Sequence, residues 1–358
     1  MKKGFLFVIF LVFSLVLVLP ETLKIVTYNT WYGLDGHGLL KMGEYEDAKT
    51  RAKRLDLLIE GLKELKPDII FLQEVNPVGR MTGKLKKALG YSAISKIYNG
   101  GIKIFGLGIP VNLNMGLVIL AKKELKLKSI GSKQISGPPG LYNPVITFHL
   151  AEARFVQAGS VEVGGRKLLL FNTHTHAAIP KEERLFEVVD GWVSEGKVTE
   201  KEAEKIKEEM KKDWARREKE IKAIGEYVKK VADGKPFVLA GDFNTTIDAE
   251  EMSAMVKRIG ATDTFLVKHP NEPGYTWDSI RNPNTKNDAS LTYVNGEAKK
   301  GVSLLSAMYD QSPRRIDFIL IGGDLNSRNV LDSHLVFDKP VEGLYASDHF
   351  GVFSEISF

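Results

Sequence analysis

Short apolar runs recur along this chain, and they come in two periods. Residues 23–28, LKIVTY, alternate and carry β-branched side chains, which predicts a strand. Further strands are predicted at 69–72, at 115–121, at the run FVLAG that opens at Phe237, at 315–321 and at 351–358. Residues 152–163 and 167–171 predict a hairpin that turns at Gly164 and Gly165. Other stretches keep a helical repeat. Across residues 44–66, Leu55, Leu58, Ile59, Leu62 and Leu65 share one face with charges opposite, and Pro67 ends the run. Residues 181–230 are helical in pattern with a break near 194–197, after which Thr199 is placed to cap the next helix. The dense charge of the first part, about 181–212, predicts a solvated helical excursion. From Trp214 onward, Ile221, Ile224 and Val228 predict a helix packed on a sheet. A short helix is predicted over 249–259. Strands interleaved with helices, without an internal repeat or dividing linker, predict one α/β domain.

Two stretches fit neither period. Lys2 and Lys3 precede an apolar run from Phe5 to Leu19, closed by Pro20 and Glu21. A basic start followed by such a run reads as a secretory signal peptide over residues 1–22, or as an N-terminal membrane anchor formed by residues 4–20. Both readings place the remainder, residues 23–358, outside the cytoplasm, either secreted or held on the outer face of the cell membrane. Residues 100–113, GGIKIFGLGIPVNL, are apolar and glycine-rich. They read either as a loop folded back on the core or as an exposed apolar lip that makes peripheral contact with lipid or a greasy substrate.

Composition adds exclusions. A chain with 43% hydrophobic and 27% charged residues can bury a sizeable core, and a net charge of +5 is too mild to argue for nucleic acid by itself. The absence of cysteine excludes disulfides, thiolate zinc sites and cysteine nucleophiles.

The polar residues at the strand ends carry the chemistry. Asn29 follows the first strand, and Gln73 and Glu74 close the second. The string NTHTH, with His174 and His176, follows the hairpin's second strand. Asp242 and Asn244 stand beyond Gly241, on the same side by alternation, with Phe243 turned back to the core. Asp317 is embedded in the 315–321 strand, where a buried carboxylate needs a partner. Ser347, Asp348 and His349 precede the last strand. Each has a plain structural reading, such as an Asx turn at Asp242. Together, at the strand ends where α/β enzymes place their reactive groups, they point to metal-assisted phosphoester hydrolysis. Magnesium takes a few carboxylates, amides and waters and neutralises phosphate oxygens; an aspartate can orient or deprotonate water while imidazoles face the phosphate. Tyr275 and Trp277, in GYTWDSIRNPNT, line a cleft or anchor their loop.

The ordered motifs YNTW, FLQEV, NTHTH, GDFNTT, RIDFIL and SDHFGV resemble the endonuclease/exonuclease/phosphatase superfamily. That superfamily includes DNase I, AP endonucleases, inositol polyphosphate 5-phosphatases and neutral sphingomyelinases. The resemblance spans residues 23–358 and implies a four-layer α/β sandwich, two mixed sheets packed face to face with helices outside, and an active site at one edge. It implies a metal-dependent phosphoric ester hydrolase using magnesium, with manganese as the alternative. Carried over by position, Glu74 resembles the principal metal ligand, aided by Asn29 and Asp348. Asp242 resembles the residue that activates water, and Asn244 the one that holds it or the phosphate. His349 resembles the imidazole on the scissile phosphate, paired with Asp317. His174 matches the histidine of DNase-like and sphingomyelinase-like members, where AP endonucleases carry tyrosine, which counts against a base-excision repair enzyme. His176 has no role in that comparison.

For the substrate, YNTW, the GYTWDSIRNPN string, the apolar 100–113 stretch and the extracytoplasmic address lean toward a phospholipid phosphodiesterase similar to sphingomyelinases and phospholipases C. A secreted DNase I-like nuclease is the alternative, followed by a phosphomonoesterase on soluble phosphates and by a non-catalytic module that kept the fold. The interleaving of Lys with Glu leaves no strong basic stripe for nucleic acid. No protein partner is implied.

Overall fold

The predicted first strand forms as β1 (Thr22–Asn29), followed by α1 (Ala48–Leu65), β2 (Ile69–Val75), α2 (Val78–Leu89), β3 (Ser92–Asn99), β4 (Ile102–Ile104), β5 (Leu107–Ile109), β6 (Met115–Ala121), β7 (Lys128–Ser136), β8 (Leu141–Tyr142) and β9 (Ile146–Phe148). The second half carries β10 (Arg154–Val163), β11 (Arg166–His174), α3 (Arg184–Ser194), α4 (Glu200–Ala232), β12 (Phe237–Asp242), α5 (Glu250–Ile259), β13 (Thr262–Asp263) and α6 (Thr264–Lys268). It ends with the ribbon β14 (Tyr293–Val294) and β15 (Glu297–Ala298), then β16 (Asp317–Gly322), β17 (Val330–Val336) and β18 (Gly351–Ser357). This computed structural model describes residues 21–177, 179, 181–285, 293–294, 297–298, 305 and 312–358. The leader expected over 1–22 lies outside the described residues except for its last two. Among the described residues no helix is long and apolar enough to cross a membrane.

Two six-stranded sheets form, ordered β17-β18-β1-β2-β6-β3 and β13-β16-β12-β11-β10-β7. Both are mixed, with β1 parallel to β2 and β11 parallel to β12 inside otherwise antiparallel pairings. Alternation sends Ile25, Phe71, Ile119, Leu170, Val238 and Ile319 into the core between the sheets. Their neighbours Val26, Ile70, Leu72 and Val118 face the other way, onto Leu58 and Leu62 of α1 and Leu85 of α2. On the second sheet Phe171 and Leu239 meet Ile221, Ile224 and Val228 of α4 and Met252 and Met255 of α5. Strands buried on both faces explain why several runs are continuous rather than alternating. The layers are helix, sheet, sheet, helix, as the resemblance implies.

Helix ends follow their caps. α1 begins at Ala48, later than the pattern predicts, because Asp47 caps it by accepting the Thr50 N–H at 2.7 Å. Thr199 caps α4 as predicted, in a reciprocal capping box with Glu202. The charged excursion departs from expectation. Leu185, Val189 and Trp192 of α3 and Ile206, Met210 and Trp214 of α4 close a small apolar core of their own, so this region is packed rather than merely solvated. Ile206, Met210 and Trp214 recur every fourth residue beneath the charges, a narrow stripe that the surrounding Lys and Glu obscure. Trp214 belongs to this cluster and not to the sheet-facing one.

The 100–113 stretch is not a loop folded on the core. It forms β4 and β5, which join β9 and β8 in a separate four-stranded sheet ordered β5-β4-β9-β8. Strands of three residues interrupted by glycine are too short to show a period.

Candidate active site

Register brings the polar strand ends together. Parallel pairing of β11 with β12 sets His174 opposite Asp242, and antiparallel pairing of β12 with β16 sets Asp242 opposite Asp317. In the facing sheet Asn29 lies opposite Gln73, one residue before Glu74. Asn29 ties the two rows: its Nδ2 donates to Glu74 Oε1 at 3.2 Å and to Asp242 Oδ2 at 3.0 Å. Its Oδ1 accepts the Trp31 N–H at 3.0 Å, so the amide turns its NH₂, not its oxygen, to the carboxylates.

Glu74 sits at a β-bulge between Leu72 and Val75 with φ +54, a conformation that costs a non-glycine residue on the order of 1–3 kcal/mol. The Tyr32 N–H, donating to Glu74 Oε2 at 3.0 Å, helps to hold it there. β12 ends at Asp242, so alternation does not place Asn244; a turn does. Asn244 has φ +48 and donates its N–H to Asp242 Oδ1 at 2.9 Å, while its Nδ2 donates to Thr175 O at 3.1 Å. The Asx turn and the convergence on the site are one arrangement, and Phe243 is fully buried behind it.

The two histidines are in opposite states. His349 Nδ1 lies 2.9 Å from Asp317 Oδ2, and its Nε2 3.8 Å from Asp242 Oδ2. Burial opposes its charge, but attraction and hydrogen bonding by Asp317, with Asp242 and Asp348 adding, raise it to about 10, so it is an imidazolium at neutral pH. The Trp277 ring meets His349 edge-on at 5.1 Å, placing Trp277 at the site rather than only in its loop. His174 is held well below the ordinary histidine value by burial and then by the charges of Arg154 and His349. Its Nδ1 shares a hydrogen bond with Tyr98 Oη at 3.0 Å, and its Nε2 faces Asp242 Oδ2 at 3.6 Å and Glu74 Oε1 at 3.7 Å. Asp348 is buried next to His349, with its Oδ1 3.0 Å from the Ser347 hydroxyl, which also reaches Asn29 O.

Burial raises Glu74 and Asp242 to about 7, Asp242 further pushed by Asp317. The side-chain donors of Asp242, Asp317 and His349 lie within 4.8 Å of one another, and Asp317 Oδ1 has no partner among the described residues. A protonated imidazole has no lone pair to offer a cation. The Glu74 carboxylate is a hard oxygen donor that fits a divalent ion, and Asn29 joins it to Asp242.

His176 is not part of this group. Its Nε2 pairs with Asp213 at 2.7 Å and its N–H donates to Glu220 at 2.8 Å, pinning the strand end to α4. Sequence reasoning missed Tyr98, for which no motif exists, and Arg154, a buried charge opening an apolar run, which is the same signal that singled out Asp317. It also missed the link beneath the site, where Gln73 Nε2 donates to Asn172 Oδ1 at 2.8 Å between the sheets.

No protein-family model matches the chain, and no curated protein matches it in sequence. Solved structures do match. TDP2 from D. rerio, complexed with single strand DNA product, superposes with TM-score 0.57 at 19% identity over 94% of this chain and 100% of that one. An endonuclease/exonuclease/phosphatase from Bacteroides vulgatus gives TM-score 0.57 at 13% identity over 94% and 99%. The mannosyl-6-phosphatase of Bacteroides thetaiotaomicron gives 0.53 at 17% over 94% and 100%. The chain has the DNase I-like fold. Within that fold the site occupies the edge where β1, β2, β11 and β12 end and β16 and β18 begin.

Proposed function

We propose that this protein is an extracytoplasmic, divalent-cation-dependent phosphoester hydrolase whose substrate is a phosphodiester of a phospholipid headgroup. The observation that carries the hydrolase reading is the pairing of a buried Asp242, raised to about 7, with an imidazolium at His349, 3.8 Å away. A base near neutral pH next to a fixed cation is what attack of water on a phosphate ester uses. Asp242 takes the proton of the water, which Asn244 helps to position. His349, oriented by Asp317, donates to a phosphate oxygen as charge builds there. His174 stays neutral and lends a second imidazole, its ring fixed by Tyr98. Glu74, aided by Asp348, would hold magnesium or manganese, which supplies charge neutralisation at the phosphate oxygens when bound. Asn29, whose NH₂ faces the carboxylates, positions Glu74 instead of ligating the ion.

The lipid substrate is supported by the exposed apolar sheet described below and by the leader's pattern. A nuclease reading has its own support, because a protein of the same fold, TDP2 from D. rerio, is complexed with a single strand DNA product. The test is turnover of bis-p-nitrophenyl phosphate with magnesium and with EDTA, followed by phospholipid vesicles and plasmid DNA in parallel. Magnesium-dependent turnover with headgroup release and no nicking is expected. Nicking without headgroup release establishes the nuclease reading, and the absence of turnover under all conditions leaves a binding module.

A further inference from the structure

The small sheet of β5, β4, β9 and β8 is built inside out. Lys103, Tyr142 and Thr147 point inward and are buried, whereas Ile102, Ile104, Leu107, Leu141, Ile146 and Phe148 are exposed. Register sets Ile102 opposite Phe148 and Ile104 opposite both Ile146 and Leu107, so the outward side chains form one continuous apolar face. At the β4–β5 turn Phe105 is 75% exposed, and Leu107 beside it is 81% exposed. A half-buried sheet in water normally turns this face to the core. Here specific bonds hold the opposite arrangement: Lys103 Nζ donates to the carbonyls of Pro110 and Gly108, and His149 Nε2 accepts from the Gly100 and Gly101 N–H groups at 2.9 and 3.0 Å.

The location and the charge narrow what covers this face. β3 and β6 pair Asn99 with Met115 at the same end of the sheet where Val75 pairs with Gly116, so β4 and β5 leave it beside Glu74. α2 presents four exposed cations, Arg80, Lys84, Lys86 and Lys87, and none of them is in an ion pair with a described residue. Arg80 and Lys84 share a cleft of about 360 Å³ with Val111 and Asn112, just past β5. An apolar protrusion flanked by cations matches an anionic lipid surface, whereas two copies of the same face would bring like charges together. We infer that the β5-β4-β9-β8 sheet docks the protein on an anionic phospholipid surface, its apolar face entering the acyl boundary while Arg80 and Lys84 meet headgroups. Docking stands by itself; that it delivers substrate to Glu74 and Asp242 rests on the hydrolase reading.

The chain has no cysteine, so Leu107→Cys in the full-length protein gives one attachment point for an environment-sensitive fluorophore. Lys197→Cys, exposed on the turn between α3 and α4, is the control. Phosphatidylglycerol-containing vesicles are expected to shift emission to the blue at position 107 and not at 197, with a smaller shift on pure phosphatidylcholine and in high salt. No vesicle-dependent shift at 107, or equal shifts at both positions, overturns the inference, as does a shift that follows protein concentration without vesicles. The double variant Leu107→Ser, Phe148→Ser is expected to keep soluble phosphodiester turnover within about twofold while headgroup release from vesicles falls about tenfold or more. Parallel loss of both activities counts against docking. Absence of soluble turnover alongside an intact shift at 107 removes the hydrolase reading and leaves docking in place.

Discussion

His349 hands its Nδ1 hydrogen to Asp317 Oδ2 at 2.9 Å, and both side chains are buried. The pair answers the question posed by a carboxylate inside an apolar strand, and it sets the charge of the site. Because His349 is raised to about 10, the pair's contribution is fully present below the ordinary histidine value of about 6.5 and is lost as pH rises through about 10. Asp317→Asn removes the strongest support for the imidazolium. Turnover of a soluble phosphodiester at pH 8 is expected to fall on the order of 10²–10³-fold. The alkaline limb of the pH–rate profile should move toward acid, with activity recovering as His349 is reprotonated. An unshifted profile would detach Asp317 from the protonation of His349.

Asp242 carries a conflict between function and stability. Its folded value of about 7 lies above the ordinary aspartate value, so the folded state binds the proton more tightly and loses stability as pH rises from about 4 to about 7. Asp242→Asn removes that penalty along with the base. Turnover is expected to be abolished, while Tm at pH 8 with EDTA rises by several degrees, roughly the effect of 1–2 kcal/mol in a chain of this size. Normal turnover by the variant would end the assignment of Asp242 as base.

The strand ends were legible because buried strands on both faces leave long apolar runs, and a polar residue at the end of such a run stands out. That signal finds Asn29, Glu74, His174, Asp242, Asp317 and His349, all of which the fold gathers at one edge. It does not find Tyr98, which is an ordinary aromatic at the end of β3 until His174 is placed against it. Nor can it tell which atom of Asn29 faces the carboxylates, since that depends on the Trp31 N–H two residues away. β4 and β5 were half legible. Their glycine-rich apolar run offered an exposed lip as one of two readings, and these side chains are exposed, but strands of three residues carry no period from which their pairing could be read.

Glu74 and Asp242 share the Asn29 amide, and burial raises both although the His349 cation and the Asn29 NH₂ pull the other way. Magnesium is therefore expected to raise Tm in the wild-type protein, in the manner of any ligand that binds only the folded state. Glu74→Gln should flatten that response and raise the magnesium concentration for half-maximal turnover about tenfold or more. An unchanged magnesium titration, in both Tm and activity, would take Glu74 out of the metal site.

His149 makes the inverted sheet sensitive to acid. Its Nε2 accepts two backbone N–H groups and its Nδ1 donates to Ala151 O at 2.9 Å, so the seated ring must be neutral. Burial holds it below the ordinary histidine value, opposed by the Ala151 carbonyl and by Glu152, the charged group acting on it, while Tyr142 stacks on its face at 4.7 Å. The unfolded segment then binds more protons than the folded one below about 6.5, so stability present at neutral pH is lost as pH falls through that window. Protonation puts a hydrogen on Nε2 and expels the Gly100 and Gly101 N–H groups from it. Hydrogen-exchange protection factors of Ile102–Ile109 are expected to drop between pH 7 and pH 5, while those of β10 and β11 hold. His149→Gln, whose amide oxygen can accept without titrating, should keep the pH 5 protection close to its value at pH 7. If wild-type protection across β4 and β5 is the same at both pH values, His149 is a passive filler of the sheet's underside and the acid sensitivity is absent.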